Sequence, residues 1–232
     1  MLFRALSGVG VYSRELSRQL ALAHPESRFL HCFRPHKFLR GLQLDRPSNA
    51  RARLLLDSWP VRAAVYHGLN QRMPEWRPRR SVSTFHDLFV LTADYSTPDF
   101  KARFTAQARH AAERSDLIVC VSRHTASMVA ELLNVEESRL RVVPHGVRFS
   151  EPQARAEREN IVLHVGAIQK RKNLVRLVEA FERACPEDWT LVLAGSDGFG
   201  AEEVKARIEA SPARGRIAVT GWGDIAAIFG WY

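Results

Sequence analysis

Short apolar runs alternate with amphipathic stretches along most of this chain, and that alternation leaves few folds open. Leu117–Val121 is a continuous apolar run flanked by polar residues, the pattern of a strand buried on both faces. Ser122 follows it as an N-cap for a helix through Leu133. The same reading predicts a helix over Val11–Leu22, with Tyr12, Leu16 and Leu20 on one face, and a strand over Arg28–Phe33. Residues 34–62 are rich in Arg and Pro and read as loops with a short helix. Strands are expected over Ala63–His67 and Ser81–Phe85, then a helix over Asp99–Arg114 with Phe100, Phe104 and Ala108 in register, and a strand over Leu140–Val143.

Residues 150–160 are charged and almost without apolar content, which suits an exposed linker. Beyond them the pattern restarts: strand Ile161–Val165, helix Asn173–Ala184, strand Thr190–Ala194, helix Ala201–Ala210, strand Ile217–Thr220. Strands alternating with helices imply parallel sheets in doubly wound layers. The expected fold class is therefore α/β, two Rossmann-like domains over residues 1–149 and 161–232, the second incomplete.

Composition removes several function classes. With 46% hydrophobic and 25% charged residues the chain is neither disordered nor fibrous. Cys32, Cys120 and Cys185 are too far apart for a disulfide framework or a zinc knuckle, so a reducing, cytoplasmic compartment is expected and no metal. The net charge of +9 is unevenly placed. Residues 1–80 hold fifteen Lys+Arg against five Asp+Glu, while residues 81–232 hold nineteen against twenty. One basic third can attract nucleic acid, anionic lipid headgroups or phosphorylated substrates, or be a solvated surface. No helix-turn-helix or aromatic-interleaved basic motif accompanies it, so nucleic acid is not an expected partner.

Three short stretches carry chemistry. Ser7-Gly8-Val9-Gly10 precedes the first amphipathic helix, where backbone N–H groups can approach a phosphate, although a tight turn explains two glycines equally well. Lys170, Arg171 and Lys172 follow a strand ending at Gly166 and stand at the entrance of the next helix. Three cations there oppose the helix dipole unless an anion sits among them, the alternative being a solvated loop. His86-Asp87 closes a strand at the end where open α/β sheets meet their ligands.

Taken together, Gly-Val-Gly-Val-Tyr-Ser-Arg-Glu-Leu (8–16), Tyr-His-Gly-Leu-Asn (66–70), Ser-Thr-Phe-His-Asp-Leu (83–88), Ser-Asp-Leu-Ile-Val-Cys-Val-Ser (115–122), Val-Pro-His-Gly-Val (143–147), Leu-His-Val-Gly-Ala-Ile-Gln-Lys-Arg-Lys-Asn-Leu (163–174) and Leu-Val-Leu-Ala-Gly (191–195) resemble bacterial family-four retaining glycosyltransferases. The resemblance implies a two-domain GT-B fold. It further implies transfer of sugar from a nucleotide-diphosphate donor, such as a UDP- or GDP-sugar, with no cofactor. Under it, His86 contacts the donor sugar and is the catalytic candidate. Gly8 and Gly10 approach the donor phosphates, Arg171 and Lys172 neutralise the leaving diphosphate, and Gly195 and Gly221 lie near the nucleoside. Acceptors in such a family are glycans or lipid-linked sugars, which implies peripheral contact with the inner membrane face. The N-terminal domain becomes the acceptor side and the C-terminal domain the donor side. Against the family pattern, a first apolar strand before Ser7 and a pair of glutamates after Gly221 are missing. The resemblance thus implies a chain truncated at both ends and impaired in transfer, the alternative being a non-catalytic remnant that binds a nucleotide, a phosphorylated ligand or a protein.

Overall fold

The computed structural model describes residues 7–147 and 159–221. What was expected of the first six residues, of most of the linker and of the tail from Trp222 lies outside the described residues. The chain divides into two compact units, one formed by Met1–Thr92 with Pro98–Val147 and the other by Ala93–Thr97 with Arg148–Tyr232.

The first unit opens with helix α1 (Gly8–Ala23), capped by Ser7, whose hydroxyl accepts from the Gly10 amide at 3.2 Å. Tyr12, Leu16 and Leu20 are half-buried on its inner face. Strand β1 (Phe29–Phe33) leads through α2 (Pro35–Leu42) into β2 (Ala50–Leu54), and the two strands form a parallel pair. The expectation of loops over 34–62 misses β2. Its residues Ala50, Ala52 and Leu54 alternate with Arg51 and Arg53 at the strand period, a signal hidden by the arginines.

A second sheet in this unit has the order β3-β4-β5-β6, all parallel. Its strands are β3 (Tyr66–Gly68), β4 (Ser81–Phe85), β5 (Leu117–Cys120) and β6 (Leu140–Val142). The strand expected at Ala63–His67 is thus shorter and displaced toward the C-terminus. The turn α3 (Phe89–Thr92) and helices α4 (Pro98–Arg114) and α5 (Arg123–Leu133) complete the unit. Ser122 caps α5 as its position suggests, accepting from the Thr125 amide at 3.0 Å. Phe85, Leu88, Phe104, Ala108, Ile118, Cys120 and Val129 form the core, and each large side chain buried there contributes roughly 1.5–3 kcal/mol. Phe100 stays 40% exposed beneath Arg103, so the α4 face starts one turn later than the periodicity predicts. Leu117 is exposed too, and β5 is less fully buried than its apolar run suggests.

Strand β4 is fixed by polar bonds. The Ser81 amide and hydroxyl donate to Asp116 at 2.7 and 3.0 Å, and the Ser115 hydroxyl is bonded to Ser83 at 2.8 Å. Asp116→Ala is expected to orphan the amide of buried Ser81 and to cost about 1–3 kcal/mol. A denaturant midpoint unchanged from the parent would contradict this.

The second unit is a three-stranded parallel sheet in the order β7-β8-β9, built from Ile161–Val165, Thr190–Ala194 and Ile217–Gly221. Helices α6 (Leu174–Ala184) and α7 (Ala201–Glu209) connect the strands, with Leu174, Val178, Phe181, Leu191, Leu193 and Val204 at the core. Arg207 and Ser211 both bond the Glu182 carboxylate and so tie the two helices together. The thiols are free, and burial pushes Cys120 up to about 11, which leaves it protonated and inert at neutral pH.

Candidate functional site

Parallel strands of an open sheet deliver ligand groups at their carboxyl ends, and in the first unit those ends gather four rings. His67 lies on β3, His86 directly follows β4, His145 follows β6, and Tyr12 reaches them from α1. The Tyr12 ring meets His86 edge-on with centroids 4.7 Å apart and an interplanar angle of 86°, and stands 4.9 Å from His145. His86 and His145 are stacked at 5.6 Å. The Thr84 hydroxyl, fully buried on β4, bonds both the Tyr12 hydroxyl at 3.2 Å and His67 Nε2 at 2.9 Å.

His86 itself is half-buried and held at both ends. Its Nε2 lies 3.1 Å from the Leu69 carbonyl, which can only accept, so Nε2 carries the proton. In the neutral ring this leaves Nδ1 as an acceptor. Its own carbonyl accepts from Thr125 Oγ1 at 3.3 Å. Beside it, Asp87, Leu88, Phe89, Thr92, Thr125 and Met128 help line a cavity of about 450 Å³.

One turn before Tyr12, the start of α1 is open. Gly8 is exposed, and a Cβ added there would meet nothing within 4 Å. The protein's own packing does not call for glycine at this position. No acidic side chain occupies the first turn, and the Ser7 cap stands at its positive dipole end.

In the second unit the loops after β7 and β8 are joined by backbone bonds. The Gly166 amide donates to Ala194, Ile168 to Ser196, Gly198 back to Ile168, and Lys170 to Phe199, at 2.8–2.9 Å. This leaves the turn Lys170–Lys172 exposed on a firm base, just ahead of α6. Asn173 then takes a left-handed φ of 54°, which Asn tolerates, and the first turn of α6 has neither a side-chain cap nor an acidic residue. Lys170, Arg171 and Lys172 thus stand beside uncapped helix amides, an arrangement suited to an anion. Burial, then the nearby Lys172 charge, hold His164 below its usual pKa.

Gly195 and Gly221 occupy different situations. Gly195 is buried with its α-carbon pressed against Gly166, so that a Cβ would fall 1.9 Å from the Gly166 carbonyl oxygen. Gly221 ends β9 with φ +67° and open space around it. Of the residues expected at the site, Gly8, Gly10 and His86 belong to the first unit, and Arg171, Lys172, Gly195 and Gly221 to the second. The sequence reading takes Tyr12 only as a helix-face residue and His67 and His145 only as members of their motifs, and it names none of them as a site residue. A tyrosine one turn into a helix resembles any core residue, and only the fold brings it onto His86. Among the described residues, no group of three or more His, Cys, Asp or Glu is placed to hold a metal, and no helix is long and apolar enough to cross a membrane.

The histidines give a pH test. Burial is the first cause holding His31, His67, His145 and His164 below the usual 6.5, and the His86 charge adds to it at His145. The folded chain therefore binds fewer protons than the unfolded chain just below pH 6.5, and stability present above that pH is lost as pH falls through it. Glu26 and Glu182, held below 4.5, weaken the fold only in more acid solution. The melting temperature is expected to be lower at pH 5.5 than at pH 7.5 at equal ionic strength. Equal values would contradict the burial of these rings.

Comparison with known proteins matches residues 6–151 to the Glycosyltransferase Family 4 model and residues 148–229 to Glycosyl transferases group 1. O-antigen chain mannosyltransferase B of Escherichia coli is 26% identical over 262 aligned positions, covering 94% of this chain and 68% of that protein. Among solved structures, the crystal structure of TarM aligns at 11% identity with a TM-score of 0.43, covering 63% of this chain and 29% of that one. The apo form of the lipopolysaccharide outer core galactosyltransferase WaaB aligns at 17% identity and 0.40, covering 63% and 45%. The chain spans less than half the length of either solved structure. The two family models follow one another along the chain, consistent with two parallel α/β units of a GT-B glycosyltransferase. More than half of the sequence lies within the first of them, and the protein belongs to Glycosyltransferase Family 4.

Proposed function

We propose that the protein transfers a sugar, with retention, from a nucleotide-diphosphate sugar to a glycan or lipid-linked acceptor. The observation that carries this reading is the exposed Lys170–Lys172 turn beside the uncapped first turn of α6. In the reaction the bond from the sugar C1 to the diphosphate oxygen breaks and a bond from C1 to the acceptor oxygen forms on the same face. The acceptor proton passes to the departing diphosphate. Charge grows on the leaving oxygen, and Arg171 and Lys172 are placed to stabilise it; fixed cations act most strongly where water is excluded. The Gly8 amide at the α1 start takes a donor phosphate, the Gly10 amide being given to the Ser7 cap, Gly195 and Gly221 flank the nucleoside, and His86 supports the sugar. The Escherichia coli relative is a mannosyltransferase by its name, so GDP-mannose heads the donor panel, followed by other GDP- and UDP-sugars.

The test measures calorimetric donor binding and release of nucleoside diphosphate by residues 1–232. Binding with turnover supports the transferase. Binding without turnover moves the reading to a non-catalytic ligand-binding protein of the same fold, which is also what the impaired transfer implied by the resemblance would give. No binding of any member of the panel overturns both.

The basic N-terminal third supports a lipid-linked acceptor at a membrane surface. Each Lys or Arg near an anionic leaflet contributes about 1 kcal/mol, and less as salt rises. The protein is expected to sediment with phosphatidylserine vesicles in low salt and to be released by high salt. Equal sedimentation with neutral phosphatidylcholine vesicles would refute an electrostatic contact.

A further inference from the structure

We propose that Tyr12 is the positioning residue of His86, fixing the plane of the imidazole and coupling it to the helix start that the donor phosphate approaches. The inference rests on the glycosyltransferase reading for what His86 acts upon and for the phosphate at the helix start. The Leu69 bond holds one edge of the His86 ring. Donated from Nε2 to the Leu69 carbonyl at 3.1 Å, it fixes which nitrogen carries the proton, and it leaves the rest of the χ2 setting to what packs on the two ring faces. That torsion is intrinsically broad for histidine. Something must act on the ring plane.

Tyr12 does so. Its ring meets His86 at 86° and 4.7 Å, an edge-to-face contact that a turned imidazole would lose. His145 stacks against His86 at 5.6 Å and touches Tyr12 at 4.9 Å, closing a triangle of three rings. Tyr12 is in turn held from below. Its hydroxyl is bonded to Thr84, a side chain with no exposed surface that also bonds His67. The wedge is therefore anchored on β4, the strand that delivers His86.

The position of Tyr12 along α1 gives the arrangement its second meaning. It is four residues after Gly8, one turn into the helix. A ligand phosphate that draws on the first-turn amides presses on the element whose next turn holds the His86 ring. Binding at the helix start and the set of the imidazole then share one rigid body. His67, His145 and the Tyr12 hydroxyl are the titratable groups that face this contact.

The experiment uses residues 1–232 with Tyr12→Phe, Tyr12→Leu and Tyr12→Gln. Histidine tautomers and titration curves are read by two-bond proton–nitrogen NMR, with no ligand and no activity required. The parent is expected to show His86 as a single Nε2–H form. In Tyr12→Leu, exchange of His86 between two tautomers is expected, with displaced titration of His145. Tyr12→Gln, a good helix former, serves the same purpose if the Leu variant fails to fold. In parallel, kcat with the best donor is expected to fall about 10- to 100-fold in Tyr12→Leu with little change in KM, and Tyr12→Phe is expected to recover most of that loss. A His86 signal in Tyr12→Leu or Tyr12→Gln that keeps the parent's single tautomer overturns the proposal. Should the parent turn over no donor, the transferase reading fails, while the NMR arm still decides the role of Tyr12.

Discussion

Replacing Gly195 with alanine is expected to unfold the second unit. The added methyl would lie 1.9 Å from the Gly166 carbonyl oxygen, 2.5 Å from its carbon and 3.1 Å from the Ala167 amide. All three are main-chain atoms, and none can swing aside as a flexible side chain would. Relief requires the loops after β7 and β8 to part, which breaks the bonds from Gly166 to Ala194 and from Ile168 to Ser196. Overpacking of this kind costs about 3 kcal/mol or more, a large share of what a sheet of three strands can hold. Circular dichroism should show a lost or much lowered transition, and amides of β7–β9 should exchange freely while those of β4 and β5 stay protected. A variant melting within a degree of its parent would show that the loops are looser than they are drawn. The same glycine is expected by resemblance near the nucleoside, so loss of donor binding in this variant would say nothing about a contact.

Arg171→Ala with Lys172→Ala is the converse case, a large effect on chemistry with little on folding. Both side chains are exposed, and surface substitutions usually move stability by no more than about 0.5 kcal/mol. A hydrogen bond to a charged group contributes about 1.5–3 kcal/mol. Two such bonds lost from a departing diphosphate amount to roughly 10²- to 10⁴-fold in kcat/KM. The double variant is expected to melt with the parent, to bind donor weakly and to release nucleoside diphosphate slowly. Turnover within threefold of the parent would remove these two residues from the site.

How much of this was legible in the sequence depended on whether the signal was local. Ser122 could be read as a cap because an N-cap and the amide it serves are three residues apart. The cation turn was legible for a similar reason, since Lys170, Arg171 and Lys172 are consecutive and the helix after them is strongly amphipathic. Strand β2 was obscured because Arg51 and Arg53 occupy its outer face, and long cationic side chains can keep their heads in water from a strand as easily as from a loop. The Tyr12–Thr84–His67 chain was illegible because its members are separated by 72 and 17 residues, and no periodicity reports a contact across a sheet. The close approach of Gly195 to Gly166 is of the same kind: a glycine at the end of a strand is unremarkable until its neighbour is known.

The strand order carries a mechanical meaning for the two halves. Among the described strands, β4, β5 and β8 are paired on both sides, and every other strand has a free edge. An opening that frees an edge strand breaks one ladder, whereas freeing β4 breaks two, so local fluctuations should concentrate at the margins. His86 hangs from β4, while Lys170–Lys172 follow β7, which is tied only to β8. The histidine is thus mounted on a strand paired on both sides, and the cations follow an edge strand whose loop is steadied by its bonds to the loop after β8. In the first unit the imidazole is held fixed, and in the second the cations keep their place only as long as the loops after β7 and β8 stay joined.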